Sequence, residues 1–274
     1  MDIIEILKAI LFGIVEGVTE WLPVSSTGHM ILVDEFVKIN ASAEFMKMFL
    51  VVIQLGAILA VVVMYWNKIM PFSFKKGIQI KKDIFEMWFK IVFACIPAAI
   101  VGVFFDDKID ELFYNYKTVA IMLILVGILF IIVENKNKNK VPQVTELSQI
   151  TYKLAFIIGI FQLIAAVFPG TSRSGATIVG GIMIGMSRTV AAEFTFFLAI
   201  PVMFGASLLK LLKFGLAFTG AEVTILLVGM ITAFVVSIII INFLMKYIKK
   251  HDFKVFGWYR IILGVVVLGY FMIF

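Results

Sequence analysis

Apolar residues dominate the chain in runs that recur between short polar segments, and the run lengths set the first reading. A helix that crosses a bilayer needs about 20 mostly apolar residues, whereas shorter runs suit buried or re-entrant pieces. Six stretches have the length of spans: 46–66, 91–106, 117–134, 193–213, 222–245 and 256–274. Two others, 6–38 and 154–188, are apolar at both ends and broken in the middle by Pro-Val-Ser-Ser-Thr-Gly-His (23–29) and Pro-Gly-Thr-Ser-Arg-Ser-Gly (169–175). Non-helical backbone at membrane depth survives only where protein or a wet cavity satisfies its polar groups. The pattern therefore predicts an all-α integral membrane protein of six transmembrane helices plus two re-entrant helix-loop-helix hairpins. Trp21, Trp66, Trp88 and Trp258 fall near the ends of these segments, where indoles settle at the lipid interface.

Composition agrees with this reading and removes the soluble classes. Of the 274 residues 62% are hydrophobic and 15% charged, with a mean hydropathy of +1.08; no stretch is polar enough to form a separate soluble domain. The net charge of +6 raises the question of a nucleic-acid partner, but position argues against one. Lysines gather in three segments, Lys68, Lys75, Lys76, Lys81, Lys82 and Lys90; Lys136, Lys138, Lys140 and Lys153; and Lys246, Lys249, Lys250 and Lys254. Each separates apolar runs, as cytoplasmic loops do under the positive-inside bias. The single Cys95 allows neither a disulfide framework nor a cysteine metal site. Asp2 and Glu5 stand where a signal peptide carries basic residues, so the first segment reads as structure.

The two breaks resemble each other. Placing Pro23 on Pro169 pairs Gly13 with Gly159, Glu16 with Gln162, Ser25 with Thr171 and Ser26 with Ser172. That makes one membrane domain of two repeats, about 1–134 and 150–274, joined by a lysine-rich loop at 135–149. With the lysine segments in the cytoplasm, counting spans puts Asp106, Asp107, Asp110 and Glu111 outside and makes the repeats inverted, each sending one hairpin in from its own side. Such plans place the site where the broken helices meet.

Candidate chemistry sits at the breaks. Glu16 and Glu20 are four apart and share a helix face. Carboxylates cost a few kcal/mol each in lipid, so beyond an interfacial position they call for a cation or an arginine; with a substrate phosphate completing the shell, Mg²⁺ or Ca²⁺ suits such oxygen ligands. Ser25, Ser26 and Thr27 suit a helix N-cap, yet capping leaves His29 unexplained. Ser26 three residues before His29 is the spacing of an activated nucleophile or proton shuttle. Arg173, flanked by Thr171, Ser172 and Ser174, is either an interfacial anchor or a phosphate clamp whose fork matches phosphate oxygens near a helix start. Glu-Gly-Val-Thr-Glu-Trp-Leu-Pro-Val-Ser-Ser-Thr-Gly-His (16–29) and the 169–175 segment together resemble the signature pair of the bacterial undecaprenyl-pyrophosphate phosphatases associated with bacitracin resistance, and the likeness covers essentially the whole chain, including Val-Val-Ile-Gln-Leu-Gly-Ala-Ile-Leu-Ala (51–60).

That resemblance implies an inner-membrane, divalent-cation-dependent enzyme that removes the terminal phosphate of a polyprenyl pyrophosphate, with its chemistry opening to the outer face. Undecaprenyl phosphate would return as the carrier for peptidoglycan and other wall polymers. Carried onto this chain, the functional positions are Glu16, Glu20, Ser26, His29 and Arg173. Glu16 and Glu20 are the metal candidates. Ser25, Thr27, Thr171, Ser172 and Ser174 are candidates for phosphate binding. Two mechanisms stay open, attack by Ser26 or by activated water, as does a second function: a transporter that flips a lipid phosphate through the same site. A second copy of the chain is a candidate partner.

Overall fold

The structure, a computed structural model, describes residues 2–73, 79–215 and 217–273. Lys75, Lys76, Phe274 and the side chain of Asp106 lie outside the described residues. Twelve helices account for almost all of the rest: α1 (Ile3–Thr19), α2 (Ser26–Phe36), α3 (Ala43–Val52), α4 (Gln54–Met64), α5 (Trp66–Ile69), α6 (Lys82–Phe113), α7 (Tyr116–Asn137), α8 (Tyr152–Val167), α9 (Arg173–Met183), α10 (Arg188–Phe214), α11 (Gly220–Tyr247) and α12 (Lys254–Ile273). Their starts follow from local chemistry. Asp2, Ser42, Asn115, Thr151 and Ser187 each accept a backbone N–H of the first turn, and Thr219 with Glu222 forms a capping box, which answers donors that the first turn leaves without a helical partner.

Among the described residues six stretches are long and apolar enough to cross a bilayer: Ala43–Met64, Lys82–Phe105, Tyr116–Asn137, Arg188–Phe214, Gly220–Tyr247 and Lys254–Ile273. They are the six read from the sequence, mostly with longer bounds. The first departs in one respect, since it is two helices, α3 and α4, meeting at Ile53. Residues at helical spacing remain exposed on the outer faces, among them Ile121, Leu125, Ile128 and Ile132 of α7 and Ile231, Val235 and Ile239 of α11. A bundle whose outside is this apolar is an integral, multi-pass membrane protein.

Trp21 corrects the interfacial reading of the tryptophans. It is fully buried, packed edge-on against Phe196 at 5.2 Å between ring centroids. Its segment enters the core rather than ending at a surface. Trp66 and Trp258 are exposed, at 50% and 58%.

Charges mark the two ends of the bundle. Lys213 pairs with Asp107 at 3.0 Å and Lys210 with Asp110 at 3.6 Å, joining the last turns of α10 and α6 at an acidic end. At the other, lysine-rich end, Lys68 pairs with Glu193, and Arg188 with the buried Glu134. Helices α1 and α11 run the same way, Gly13 lying against Gly229 and Gly17 against Ala233, so α1 starts at the acidic end. Helices α8 and α6 also run together, from Tyr152 beside Phe93 to Phe168 beside Phe113, so α8 starts at the lysine end. Each returns by its partner: α2 finishes with Phe36 on Tyr270 near the end of α12, and α9 leads to Gly185, whose carbonyl accepts from Gln143.

Helix axes approach most closely at glycine. A Cβ on Gly13 would stand 2.6 Å from the carbonyl oxygen of Gly229, and one on Gly159 would stand 2.3 Å from that of Ala94. Helices α7 and α12 cross reciprocally, Gly127 against the Gly257 oxygen and Gly257 against the Gly127 oxygen, with Cβ approaches of 2.7 and 2.8 Å. Lipid tails are as apolar as the side chains they replace, so close packing of this kind carries much of the association between membrane helices. Gly127→Val forces the crossing apart and should cost about 1–3 kcal/mol, read as a lower thermal unfolding midpoint in detergent. Gly269→Val, at a glycine with nothing within 4 Å, should leave the midpoint unchanged.

Candidate functional site

The end of α1 carries the two acids into the interior. Glu16 and Glu20 lie one turn apart, 1% and 7% exposed, and the Glu20 amide makes the last helical bond, to the Glu16 carbonyl at 3.0 Å. Proline at 23 cannot continue that pattern, and the chain turns through residues 20–25 before α2. Ser25 caps α2 by accepting from the Gly28 amide, with φ at +74°. The second break repeats the device: Ser172, at φ +67°, caps α9 by accepting from the Gly175 amide.

Among the described residues these two serines are the non-glycine positions with positive φ. Backbone held in such a sparsely populated region costs about 1–3 kcal/mol and persists where the surroundings enforce it. The shared cap sets the correspondence between the breaks one residue away from the pairing read off the prolines. Ser25 matches Ser172, and therefore Ser26 matches Arg173.

One carboxylate brings the breaks together. Glu20 Oε1 accepts from Arg173 Nη2 at 2.8 Å while its Oε2 accepts from the Ser26 hydroxyl at 2.9 Å. Ser174 donates to the main-chain carbonyl of Glu20 at 3.0 Å. Arg173 is held from behind, its Nη1 donating to the carbonyl of Thr195 at 3.1 Å. The Thr195 hydroxyl donates to that of Thr177 at 2.8 Å, and Thr177 donates to the Arg173 carbonyl, also at 2.8 Å. A buried charge is costly unless paired and hydrogen-bonded, and here both members are.

The expected Ser26 and His29 pairing takes another form. Ser26 donates to Glu20, and both ring nitrogens of His29 are engaged elsewhere, Nδ1 with the Ser25 carbonyl and Nε2 with the Tyr259 hydroxyl, each at 2.7 Å. A carbonyl only accepts, so Nδ1 carries the proton and Nε2 accepts from Tyr259 in the neutral ring. The two rings also stack, 5.6 Å apart and 6° from parallel.

Most of the candidate phosphate-binding hydroxyls serve the loops themselves. Ser25 and Ser172 are caps, and Ser174 ties α9 to the first break. Thr27 is half-buried. Thr171 is buried with its hydroxyl unpartnered, as are Glu16 Oε1 and both amide atoms of Gln162, the residue paired with Glu16 across the repeats. Gln54 stays half-buried, and Glu193 is engaged with Lys68.

Helix α12 contributes two residues that sequence reasoning passed over, Tyr259 at His29 and Arg260. Arg260 is fully buried and donates to the carbonyls of Pro23, Gly170 and Thr171. The only signal was an arginine at the fifth position of the apolar run 256–274, and beside Trp258 it resembles an interfacial anchor.

The sequence profile of a family described as "Bacitracin resistance protein BacA" matches residues 9–266. A relative from Desulfitobacterium hafniense, named "Undecaprenyl-diphosphatase", is 71% identical over 99% of this chain and 98% of its own length. One from Clostridium acetobutylicum, "Undecaprenyl-diphosphatase 1", is 69% identical over the full length of both. An Enterococcus faecalis "Undecaprenyl-diphosphatase" is 61% identical over 98% of each. With a match that runs through both breaks and nearly every helix, the chain belongs to the BacA bacitracin-resistance family.

Proposed function

We infer that this protein hydrolyses undecaprenyl diphosphate to undecaprenyl phosphate and inorganic phosphate, recycling the lipid carrier of cell-wall synthesis. One observation carries the assignment of its site: a single buried carboxylate, Glu20, holds both a serine hydroxyl and an arginine, the three groups coming from two loops 153 residues apart between Glu20 and Arg173. A pore has no need of that set. Phosphoryl transfer needs little more than a positioned nucleophile, an acceptor for its proton and positive charge against the equatorial oxygens.

In the sequence of steps we propose, Arg173 and the amides opening α2 and α9 bind the diphosphate head. Ser26 Oγ attacks the terminal phosphorus as Glu20 takes its proton. The bond to the bridging oxygen breaks, undecaprenyl phosphate leaves, and the proton passes to it from Glu20. Water then attacks the phosphoserine, giving its proton to Glu20, which returns one to Ser26 as phosphate departs. His29 stands beside this path, its tautomer set by the Ser25 carbonyl and its Nε2 engaged by the Tyr259 hydroxyl. Attack by water, with Ser26 only orienting it, is the competing order of events.

A divalent cation fits the acids on one count: Glu16 has a buried oxygen with no partner, one turn from Glu20. No cluster of three or more His, Cys, Asp or Glu ligands occurs among the described residues, so Mg²⁺ or Ca²⁺ would be held by Glu16 and Glu20 together with the substrate's phosphate oxygens. Bound there, it would neutralise charge on the diphosphate.

We place the lysine-rich end in the cytoplasm by the positive-inside bias. In a bacterial inner membrane the acidic end and the start of α1 then face outward. The halves about 1–134 and 150–274 form an inverted repeat on this reading, supported by the opposite starts of α1 and α8 and by the reciprocal crossing of α7 and α12. Helices α1 and α8, of 17 and 16 residues, reach only about 25 Å at 1.5 Å per residue, short of a hydrocarbon core of about 30 Å. Each hairpin would therefore enter and return. The site would open outward along α2, where Ile31–Asp34 stay partly exposed.

Glu20→Gln and Arg173→Ala should each lower kcat/KM for phosphate release in detergent about 100-fold or more, the effect of losing one well-placed electrostatic group. Because detergent removes the two compartments, wild type that released no phosphate under any divalent ion would return the reading to a lipid carrier. Rapid quenching with terminally labelled substrate should trap phosphoserine at position 26. Full activity in Ser26→Ala would give the attack to water. Glu16→Gln should raise the Mg²⁺ concentration needed for half-maximal rate at least several-fold, and an unchanged requirement would remove Glu16 from the cation site.

A further inference from the structure

Arg260 is a buried cation whose hydrogen-bond partners among the described residues include no carboxylate. Its guanidinium is 0% exposed. Nη1 donates to the Pro23 carbonyl at 3.2 Å, and Nη2 to those of Gly170 and Thr171 at 2.8 Å each and of Met122 at 3.4 Å. Three of those four acceptors are main-chain groups of the two breaks. Carbonyls in such segments have no helical donor, and inside an apolar bundle they need one. A guanidinium, with five donors in a fixed fork, serves several at once where an ammonium would not.

Packing alone does not call for a charge at this place. The α7 and α12 crossing is reciprocal: the Cβ of Arg260 lies 3.2 Å from where a Cβ on Gly127 would stand, and the Cβ of Phe130 lies 3.2 Å from the same point on Gly257. The two positions are counterparts, and the other half fills its own with a fully buried phenylalanine. Burying an ion costs several kcal/mol that a well-packed apolar side chain does not. The arginine is also pressed against the second hairpin, since a Cβ on Gly175, in the first turn of α9, would lie 3.1 Å from its Nη1.

We propose that Arg260 is a positioning residue for phosphoryl transfer, tying the Pro23 carbonyl of the first break to the Gly170 and Thr171 carbonyls of the second so that Glu20 meets Ser26 and Arg173 together. The proposal rests on the site described under Proposed function. Its reasoning is geometric. Pro23 lies two residues before the strained cap Ser25, and Thr171 immediately precedes the strained cap Ser172. A peptide unit is planar and trans, so fixing the Thr171 carbonyl also fixes the direction of the Ser172 amide and the entry into α9, where Arg173 is the first residue. Arg260 acts through these loops and needs no contact with the substrate.

The test is a kinetic cycle on the full-length protein in detergent, with Arg260→Lys, Arg260→Met, Arg173→Lys and the combinations. Arg260→Met should lower kcat about 100-fold, as small misplacements of reacting groups do, with KM changed less than about threefold. Arg260→Lys should fall between it and wild type, since an ammonium keeps fewer of the carbonyls. Combined with Arg173→Lys, either change should cost far less than the product of the separate losses, because one alignment is lost once. Unchanged kcat in Arg260→Met, a loss expressed mainly in KM, or multiplicative losses would each overturn the proposal. Thermal midpoints identify a variant that fails to fold, and Arg260→Lys then carries the test. Full activity in Arg173→Lys would undo the underlying site reading, whatever Arg260 does; a normal loss there with multiplicative combinations undoes this proposal alone.

Discussion

Opposite charges that are expensive to bury separately are what this architecture is organised around. Glu20 lies at the end of α1 and Arg173 at the start of α9, both inside a bundle that presents apolar residues to its surroundings. Either one alone would be an uncompensated ion in a medium that solvates ions poorly. Together at 2.8 Å they make each other tolerable, and the hairpins that carry them are thereby obliged to meet. On the proposed reading the ion pair is also a binding device: an entering diphosphate brings more negative charge than the carboxylate it competes with, and the Thr195 carbonyl holds the fork of Arg173 in place for phosphate oxygens.

The serines of the breaks divide into two kinds, and confusing them would misplace the chemistry. Ser25 and Ser172 spend their hydroxyls on capping, as the accepted amides of Gly28 and Gly175 show. Ser174 spends its own on the Glu20 carbonyl. Ser26 donates to an ionisable group instead, and that is the arrangement in which a hydroxyl can lose its proton as it attacks. Strain sits one residue before each of the two groups that bond to Glu20. Holding Ser25 and Ser172 at positive φ costs energy that only a well-determined surrounding can sustain, so the supports of the loops matter as much as the reacting groups.

Much of this was legible because polar residues inside apolar runs have so few explanations. Glu16, Glu20, Ser26 and Arg173 stood out for that reason, and the six spans followed from run length alone. Other features were hidden by ordinary look-alikes. Trp21 resembles an interfacial indole, and only the return of the chain through α2 shows that it is enclosed. The bend at Ile53 has neither proline nor glycine at the position itself. The register between the breaks was misread by one because prolines were aligned, whereas the structure repeats the capping serine. Tyr259 and Arg260 lie 230 and 234 residues beyond His29 and Ser26, and nothing local ties them to the breaks; their role depends on how α12 crosses α7, which periodicity cannot express.

The corrected register gives the two hairpins a sharper relation than a shared motif. The residue immediately after each strained cap is the one that bonds to Glu20, a serine in the first hairpin and an arginine in the second. Both therefore occupy the first position of a helix, where free amides and the positive end of the helix dipole face the same region. On the proposed reading, two helix starts tied to the one Glu20 carboxylate suit an anion with two phosphate groups. On that reading the halves then differ only in side chains: nucleophile at Ser26 and clamp at Arg173 after the caps, and, in the preceding helices where the proline alignment still holds, acids at Glu16 and Glu20 against Gln162 and Ala166. An identical pair of hairpins would place two serines or two arginines together. A centre holding nucleophile, proton acceptor and cation at once requires that the halves differ at these few positions while keeping the cap, the glycine it bonds and the packing glycines the same.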